Sequence, residues 1–297
     1  TMKNQIKTIM LLGALSALVV GIGAAVAPGY LYVFAALALA MNLGAYFFSD
    51  RIVLKMHGAR EVSAQEAPEL HRIVSELAAR AAIPMPRVCI MPEDQPNAFA
   101  TGRNPKHGVV AVTEGILRIL DERELRGVLA HELAHIKNRD ILVSSIAAAA
   151  AALISYIANA LSFGAMFGMN QADDDEGGSP MGALLVALVA PLAATLIQLG
   201  ISRSREYLAD ETGAAISGDP EALARALLKL ERGSQVLPPA QTSPATASLF
   251  IVNPFGAMQR AASWFSTHPS TEERVMRLRE LARRSPRGVT QRAVGAQ

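Results

Sequence analysis

Three long stretches without any charged side chain constrain this chain more than any other feature of its sequence. Residues 8–49, 141–172 and 177–202 contain no Asp, Glu, Lys or Arg. An uncharged apolar run of roughly 18 residues or more is typical of a transmembrane helix, because about 20 helical residues cross the hydrocarbon core of a bilayer. All 28 basic and 26 acidic residues lie in the rest of the chain. The sequence therefore predicts membrane helices attached to a polar domain of ordinary charge content.

The first uncharged run predicts a hairpin of two transmembrane helices. Pro28 and Gly29 interrupt the run near its middle, so the helices are expected over residues 6–26 and 31–48. A cleavable signal peptide is the alternative for the first helix. A second apolar segment follows it directly, instead of a cleavage site and polar sequence, which favours a retained hairpin.

The other two runs predict a second hairpin, with helices over residues 141–163 and 181–201. The alternative is a pair of very hydrophobic helices buried in a globular domain. Lys and Arg flank the outer ends of all four helices, and neither short loop between paired helices contains one. By the positive-inside rule, both termini and the polar sequence are expected on the cytoplasmic side, with the acidic residues 173–176 outside.

The polar sequence falls into two blocks that the second hairpin separates, and we expect them to fold together. The expected divisions are a transmembrane hairpin over 1–50, a first part of the cytoplasmic domain over 51–140, a second hairpin over 141–202, and a second part with a basic tail over 203–297. Periodicity predicts helices over 67–82, 121–139, 202–217, 220–232 and 271–284, strands over 87–91 and 107–113, and a mobile loop over 233–254. The lone Cys89 excludes an intrachain disulfide.

A metal-binding motif, His131-Glu132-Leu133-Ala134-His135, lies in the predicted helix 121–139. Residues four apart share one face of a helix, so both imidazoles are able to bind a single zinc ion. Glu132 projects from nearly the same face, toward a zinc-bound water. The alternative is two histidines that are buried or that cap a helix.

A catalytic zinc site needs a third protein ligand and an open fourth position. Glu206 and Asp210 are again four residues apart on one predicted helix. One of the two carboxylates is expected to bind zinc while the other accepts the spare imidazole N–H of a histidine ligand. Taken alone, the pair is better explained as part of a solvated charged face with Arg203 and Arg205.

The motifs of this sequence resemble those of the HtpX-type heat-shock membrane metalloproteases, relatives of the Ste-type CAAX prenyl endopeptidases and of the OMA-type mitochondrial proteases. The resemblance covers essentially the whole chain. It rests on four segments in the family's order: NAFATG (97–102), HELAHIKNRD (131–140), SRSREYLAD (202–210) and STHPS (266–270).

The resemblance implies an α-helical membrane protein with an α+β zincin-like metallopeptidase domain. It makes His131, His135 and Glu206 the ligands of one Zn²⁺ per chain. It makes Glu132 the catalytic residue and Asp210 the carboxylate partner of a histidine ligand, His131. The implied role is quality control of misfolded or damaged membrane proteins, at the cytoplasmic face of the bacterial inner membrane.

Four further residues are weaker candidates for the reaction. The oxyanion needs a second electrophile beside the metal, for which His268 is the first candidate and Arg274 the second. A substrate is expected to lie extended along an edge strand, because main-chain pairing tolerates any sequence. The candidates for that contact are Val110, in the segment 109–112, and Asn97, in the segment 97–101.

Three functions fit these observations to different degrees. The first is a zinc metalloendopeptidase that acts on peptide or membrane-protein substrates, with the lipid bilayer as its surroundings. The second is a non-catalytic scaffold or transporter with a structural zinc site, which an open coordination position disfavours. The third is a protease that processes prenylated peptides. A net charge of +2 gives no indication of a nucleic-acid partner, and none is expected.

Overall fold

The computed structural model describes residues 2–26, 28–151, 203–237, 246–254 and 269–284. Helices dominate this part of the chain, together with one small sheet. The helices are α1 (Met2–Val26), α2 (Leu31–Met56), α3 (Pro68–Ala81), α4 (Glu114–Ile119), α5 (Glu122–Asn138), α6 (Ile141–Ala151), α7 (Arg203–Ser217), α8 (Pro220–Val236) and α9 (Thr271–Arg284). The strands are β1 (Arg60–Glu61), β2 (Arg87–Met91), β3 (Ala98–Thr101) and β4 (Val109–Thr113).

The apolar helices α1, α2 and α6 pack against one another through small and aliphatic side chains. Their shared cluster contains Leu11, Leu15, Ala45, Ile146 and Ala147. Among the described residues, α2 alone is both long enough and apolar enough to cross a membrane, as judged by length and composition. The predicted helix 181–201 and the second half of the predicted helix 141–163 lie outside the described residues.

The sheet has the order β1-β2-β4-β3, with β2 and β4 parallel and the two outer strands antiparallel to their neighbours. Val110 pairs with Val88 on one side and with Ala100 on the other, and its side chain is fully buried. The prediction that a substrate pairs with an edge strand at Val110 is therefore wrong, because β4 is an inner strand whose backbone is hydrogen-bonded to β2 and to β3. Its continuous apolar sequence is the pattern of a strand covered on both faces.

Helix α5 runs through the centre of the polar domain. Its apolar face packs against the sheet and against α3, α7 and α8, with Val128, Leu129 and Leu133 fully buried. Asp121 caps its N-terminus in a capping box with Glu124. Because both sides of α5 are enclosed, the motif residues on it are held by the core rather than by a loop.

A buried histidine joins α2 to the polar domain. His57 follows the last residue of α2, lies between the rings of Phe99 and Phe250, and places Nε2 3.0 Å from Thr246 Oγ1. Burial lowers its pKa from 6.5 to about 4. The folded chain therefore holds His57 neutral at pH values where the unfolded chain protonates it.

We expect this histidine to make the fold acid-sensitive. The contribution of neutral His57 to the free energy of unfolding is fully present above pH 6.5. It is lost progressively as the pH falls toward 4, because the unfolded state then binds the additional proton. Between pH 7 and pH 5 the loss amounts to about 2 kcal/mol. Thermal unfolding of the wild type and of His57→Gln over this range measures it. The variant is expected to show the smaller pH slope, and equal slopes would contradict the assignment.

Candidate metal centre

Helix α5 brings His131, Glu132 and His135 together in the interior of the polar domain. The two histidines are four residues apart, and their Nε2 atoms lie 3.2 Å from each other with the rings nearly perpendicular. His131 is fully buried and His135 is half-buried. Both rings therefore turn the same nitrogen toward a common centre, as a shared metal ion requires.

Helix α7 brings a carboxylate to the same centre. Glu206 Oε2 lies 3.6 Å from His131 Nε2, and Glu206 Oε1 lies 3.7 Å from His135 Nε2. One ligand atom from each of the three residues lies within 4.8 Å of the others. This spacing suits a single ion bound by two imidazoles and one carboxylate.

A glycine allows α7 to approach α5 closely enough for this contact. A Cβ atom on Gly213 would lie 2.9 Å from both Cα and N of His131, which are backbone atoms that cannot move alone. The helix-to-helix distance at the centre is therefore set by the absence of a side chain at Gly213.

Substituting Gly213→Ala is expected to push the two helices apart and to separate Glu206 from the histidines. Overpacking of this kind costs about 1–3 kcal/mol of stability. We expect a lower unfolding midpoint together with weaker metal binding, measured by thermal unfolding and by zinc titration. The control is Ala215→Ser, on the exposed side of the same helix; equal behaviour of the two variants would contradict the close-packing account.

Each histidine is oriented by a carboxylate behind it. His131 Nδ1 lies 2.9 Å from Asp210 Oδ1, and His135 Nδ1 lies 3.2 Å from each carboxylate oxygen of Asp140. These contacts place the ring proton on Nδ1, and so leave Nε2 with a free lone pair for a metal. The structure thus places Asp210 beside His131, as the sequence predicts, and adds Asp140, which sequence reasoning had missed.

Asp140 reaches His135 because the helix ends sharply between them. Arg139 adopts a left-handed conformation with φ 57°, and the Asp140 amide donates to the carbonyl of His135 at 3.3 Å. Helix α6 begins at the next residue. The only indication in the sequence was that Asp140 is a polar residue just past the end of the motif helix. Helical periodicity does not predict where a side chain beyond the end of a helix lies.

Glu132 lies inside the same cluster with one carboxylate oxygen unsatisfied. Its side chain is buried, and Oε1 has no hydrogen-bond partner among the described residues. Burial raises the pKa of this carboxyl group. Burying a carboxylate oxygen without a partner is costly, so the arrangement fits a group that meets water or substrate at the metal.

The charge of the cluster favours a cation at its centre. Burial alone would lower the histidine pKa values, but Asp210 and Glu206 raise the pKa of His131, and Asp140 with Glu206 raises that of His135 to about 10. Four buried carboxylates, counting Glu132, therefore stabilise positive charge at this point. A divalent metal ion supplies that charge, and the donor set of two imidazoles and one carboxylate is typical of catalytic zinc sites.

Arg274, on α9, binds Asp210 and a main-chain carbonyl. Its Nε and Nη2 donate to the two oxygens of Asp210 at 2.8 and 2.7 Å, and its Nη1 donates to the carbonyl of Ile251 at 2.8 Å. The guanidinium is buried, and it lowers the pKa of Asp210 against the opposing effect of burial. The predicted contact with substrate is not what the structure shows, because these donors are already committed to the protein.

Substituting Arg274→Lys is expected to weaken the orientation of His131 without removing the positive charge. Lys cannot reproduce the bidentate contact with Asp210, so zinc affinity should fall by about 10–100-fold, as is usual for groups that support a ligand. Zinc titration of the purified variant measures this change. Arg279→Lys, a surface position on the same helix, is the control; unchanged affinity in Arg274→Lys would contradict the supporting role.

The remaining candidates have different outcomes. Asn97 is buried, and its side chain donates to the carbonyl of Val252 at 2.8 Å and accepts from the amide of Ala98 at 3.1 Å. It holds the segment around Val252 beside β3, so the prediction of a substrate contact is wrong for this side chain. His268 lies outside the described residues.

Fold and site together define the class of protein. A buried helix carrying His-Glu-x-x-His, a carboxylate supplied by a second helix and a buried glutamate oxygen without a partner among the described residues fit a metallopeptidase centre. The sequence profile of peptidase family M48 matches residues 64–282, and the chain belongs to this family. It is therefore a metalloendopeptidase.

Several relatives match over nearly their whole length. A protein named "Protease HtpX homolog" from Syntrophobacter fumaroxidans is 55% identical over 283 residues, which cover 94% of this chain and all of the relative. Proteins of the same name are 52% identical in Thermococcus kodakarensis, over 93% of this chain and 96% of the relative, and 55% identical in Aquifex aeolicus, over 82% of each. The resemblance to HtpX-type proteases is thereby confirmed. A crystal structure of S. mikatae Ste24p matches with a TM-score of 0.47 and 18% identity, over 94% of this chain and 67% of that one.

Proposed function

We propose that this metallopeptidase is a zinc-dependent endopeptidase of the bacterial inner membrane that cleaves misfolded or damaged membrane proteins at the cytoplasmic face. The observation that carries the proposal is the convergence of His131, His135 and Glu206 beside Glu132, whose Oε1 has no hydrogen-bond partner among the described residues. The same centre is joined through Asp140 to the apolar helix α6. A catalytic site that continues directly into apolar helices suits substrates that lie in or near a membrane.

The proposed zinc ion would be held by His131, His135 and Glu206. When bound, it supplies Lewis-acid polarisation of the scissile carbonyl and acidifies the attacking water. Glu132 accepts the proton of that water at its free oxygen and returns it to the leaving amine. Asp210 and Asp140 hold the two imidazoles in the tautomer that this chemistry needs. His268 remains our proposed second donor to the oxyanion.

The proposed membrane arrangement has four transmembrane helices in two hairpins, over residues 1–50 and 141–202. The exposed apolar side chains of α2 support the first hairpin, since Tyr32, Leu39 and Leu43 are all more than half exposed. The two polar parts, 51–140 and 203–297, then form one cytoplasmic domain; contacts between α5 and the pair α7 and α8 support this. The bilayer and protein substrates are the proposed partners, and nucleic acid is not one.

The proposal is tested with the full chain reconstituted into proteoliposomes. The substrates are a membrane protein with a destabilised cytoplasmic loop and its stable parent. Both are reconstituted into the same vesicles as the peptidase, with their cytoplasmic loops and the peptidase domain facing outward. Cleavage of the destabilised protein alone is expected, and it should depend on added zinc. Equal cleavage of both proteins would contradict a quality-control role. A strict requirement for a prenylated cysteine would instead identify a prenyl-peptide protease.

A further inference from the structure

A basic cavity lies at the end of α2, away from the metal centre. Its volume is about 380 Å³. The side chains that matter for its chemistry are Phe47, Arg51, Met85, Arg87, Arg103 and Lys106. The cavity joins α2 to the loops before β2 and β4, so it forms where an apolar helix meets the polar domain.

The cavity lies at the depth where a bilayer ends. Helix α2 begins at Leu31, and about 20 residues at a rise of about 1.5 Å per residue span the hydrocarbon core. The first charged side chains after Leu31 are Asp50 and Arg51, both of which line the cavity. Upstream of them α2 exposes apolar side chains, ending with Phe47 and Phe48, each almost half exposed. If α2 crosses the membrane as proposed above, the cavity opens at the level of the lipid headgroups.

Four cationic side chains line the cavity: Arg51, Arg87, Arg103 and Lys106. Three of them have no carboxylate partner among the described residues. Arg87 forms ion pairs with Asp50 at 2.9 Å and with Glu61 at 3.3 Å. No described carboxylate forms an ion pair with Arg51, Arg103 or Lys106 within 4.0 Å. The cavity therefore carries an excess of positive charge that an anion would neutralise.

The position of Arg103 is fixed by its neighbours. Its guanidinium lies 5.6 Å from the centre of the Phe47 ring, and its Nη2 donates to His107 Nε2 at 2.8 Å. His107 Nδ1 in turn donates to Asn104 Oδ1 at 2.9 Å, which leaves Nε2 as an acceptor. The remaining guanidinium N–H groups of Arg103 stay available, and a planar guanidinium suits phosphate oxygens.

We propose that this cavity binds the phosphate headgroup of an anionic phospholipid from the leaflet that faces the polar domain. The guanidinium and ammonium groups of Arg51, Arg103 and Lys106 bind the phosphate, and Phe47 and Met85 contact the glycerol and the upper acyl chains. Basic pockets beside membrane helices on this side bind anionic headgroups. A lipid at this point holds α2 and β4 together, and so fixes the height of the peptidase domain above the membrane.

The test uses the full chain in neutral detergent, with lipid adducts counted by native mass spectrometry. Phosphatidylglycerol and phosphatidylcholine of the same acyl length are offered at equal concentration. The wild type is expected to prefer phosphatidylglycerol by about tenfold or more, since each basic residue near an anionic lipid contributes about a fivefold change in binding. Arg103→Gln with Lys106→Gln should abolish most of this preference. Arg51→Gln, from a different element, should reduce it independently of any folding defect in the first variant.

The control removes the same charge elsewhere. Arg283→Gln with Arg284→Gln lies at the end of α9, outside the cavity lining, and should keep the wild-type preference. Equal binding of the two lipids by the wild type, or an unchanged preference in both cavity variants, would overturn the proposal. Glycerophosphoglycerol and inorganic phosphate are added as competitors. Displacement of the lipid by either at the lipid's own concentration would show a site for the free anion, and would also overturn it.

The lipid site rests on the proposed membrane function, but the two fail differently. The detergent-purified chain is also assayed for peptide hydrolysis, and membranes that contain the same chain are tested for its extraction by alkaline carbonate. A chain that resists extraction and cleaves its substrate but has no headgroup preference overturns the lipid site alone. A chain that carbonate extracts, yet still prefers phosphatidylglycerol through Arg51, Arg103 and Lys106, contradicts the membrane-spanning function and supports the anionic site.

Discussion

Glu132→Gln is expected to reduce peptide hydrolysis by about 10²–10⁴-fold, the usual contribution of a positioned general acid–base group. The substitution keeps the size of the buried side chain but replaces its carboxylate, one oxygen of which has no partner among the described residues, by a neutral amide that cannot accept the proton. Fold and metal content should therefore stay as in the wild type. The rate constant for cleavage of a fluorogenic peptide and the zinc content of the same sample measure both expectations.

The matched control is Glu122→Gln, on the exposed first turn of the same helix, where the carboxylate forms surface ion pairs. Such pairs contribute little, so the control should cleave at close to the wild-type rate. A Glu132→Gln enzyme that binds zinc and cleaves at the wild-type rate would remove Glu132 from the reaction.

Glu206→Gln is expected to lose most of the bound zinc as well as the activity. The carboxylate is the only anionic member of the three-residue cluster, and it lies within 3.7 Å of both imidazole Nε2 atoms. A neutral amide oxygen is a far weaker ligand for a divalent ion than a carboxylate, so we expect affinity to fall by at least 100-fold, beyond the usual effect of losing a group that only supports a ligand. Competition with a fluorescent zinc chelator measures the dissociation constant.

Glu211→Gln separates this effect from a general loss of charge on α7. Glu211 is exposed on the same helix, one turn beyond Tyr207 and away from the cluster. Its substitution should leave zinc affinity unchanged. Wild-type affinity in Glu206→Gln would show that Glu206 is not the third ligand.

Local sequence rules predicted the elements that carry the site. Helix α5 begins after Asp121 and ends before Arg139, as the capping residue and the apolar spacing indicate. Strand β2 and helix α9 have the predicted bounds. The motif spacing also predicted that His131 and His135 share a face, because this depends on helical geometry alone.

Long-range packing decided what local rules could not predict. Helix α8 continues to Val236 rather than ending at 232, since Gln95 donates to the carbonyl of Leu237 and the Pro96 ring packs on the helix at Gly233. The inner position of β4 depends on β3 pairing beside it, which no periodicity within 107–113 reveals.

The same limit applies to the support of the metal centre. Arg274 and Asp210 are 64 residues apart, and only the packing of α9 against α7 shows that they form an ion pair. Asp140 lies five residues from His135, but the left-handed turn at Arg139 that brings it back is a conformation the sequence does not specify. The charged groups that orient a site are therefore harder to predict than the ligands themselves.

Asp140 connects the candidate metal centre to the apolar helix α6. Asp140 orients His135, and its carbonyl accepts from the amide of Ser144 in the first turn of α6. In the same helix, Ser145 contacts Thr101 of β3 at 2.7 Å. A displacement of α6 would therefore move both the imidazole and the strand beside it.

The most direct test of the central claim is a zinc titration of the chelated enzyme, with metal content and peptide cleavage followed in the same sample. The account predicts that the metal-free wild type is inactive, and that activity returns in proportion to zinc and levels off at one ion per chain. Glu132→Gln should take up the same single ion and stay inactive. Cleavage by the metal-free chain at the rate of the reconstituted enzyme would contradict the account.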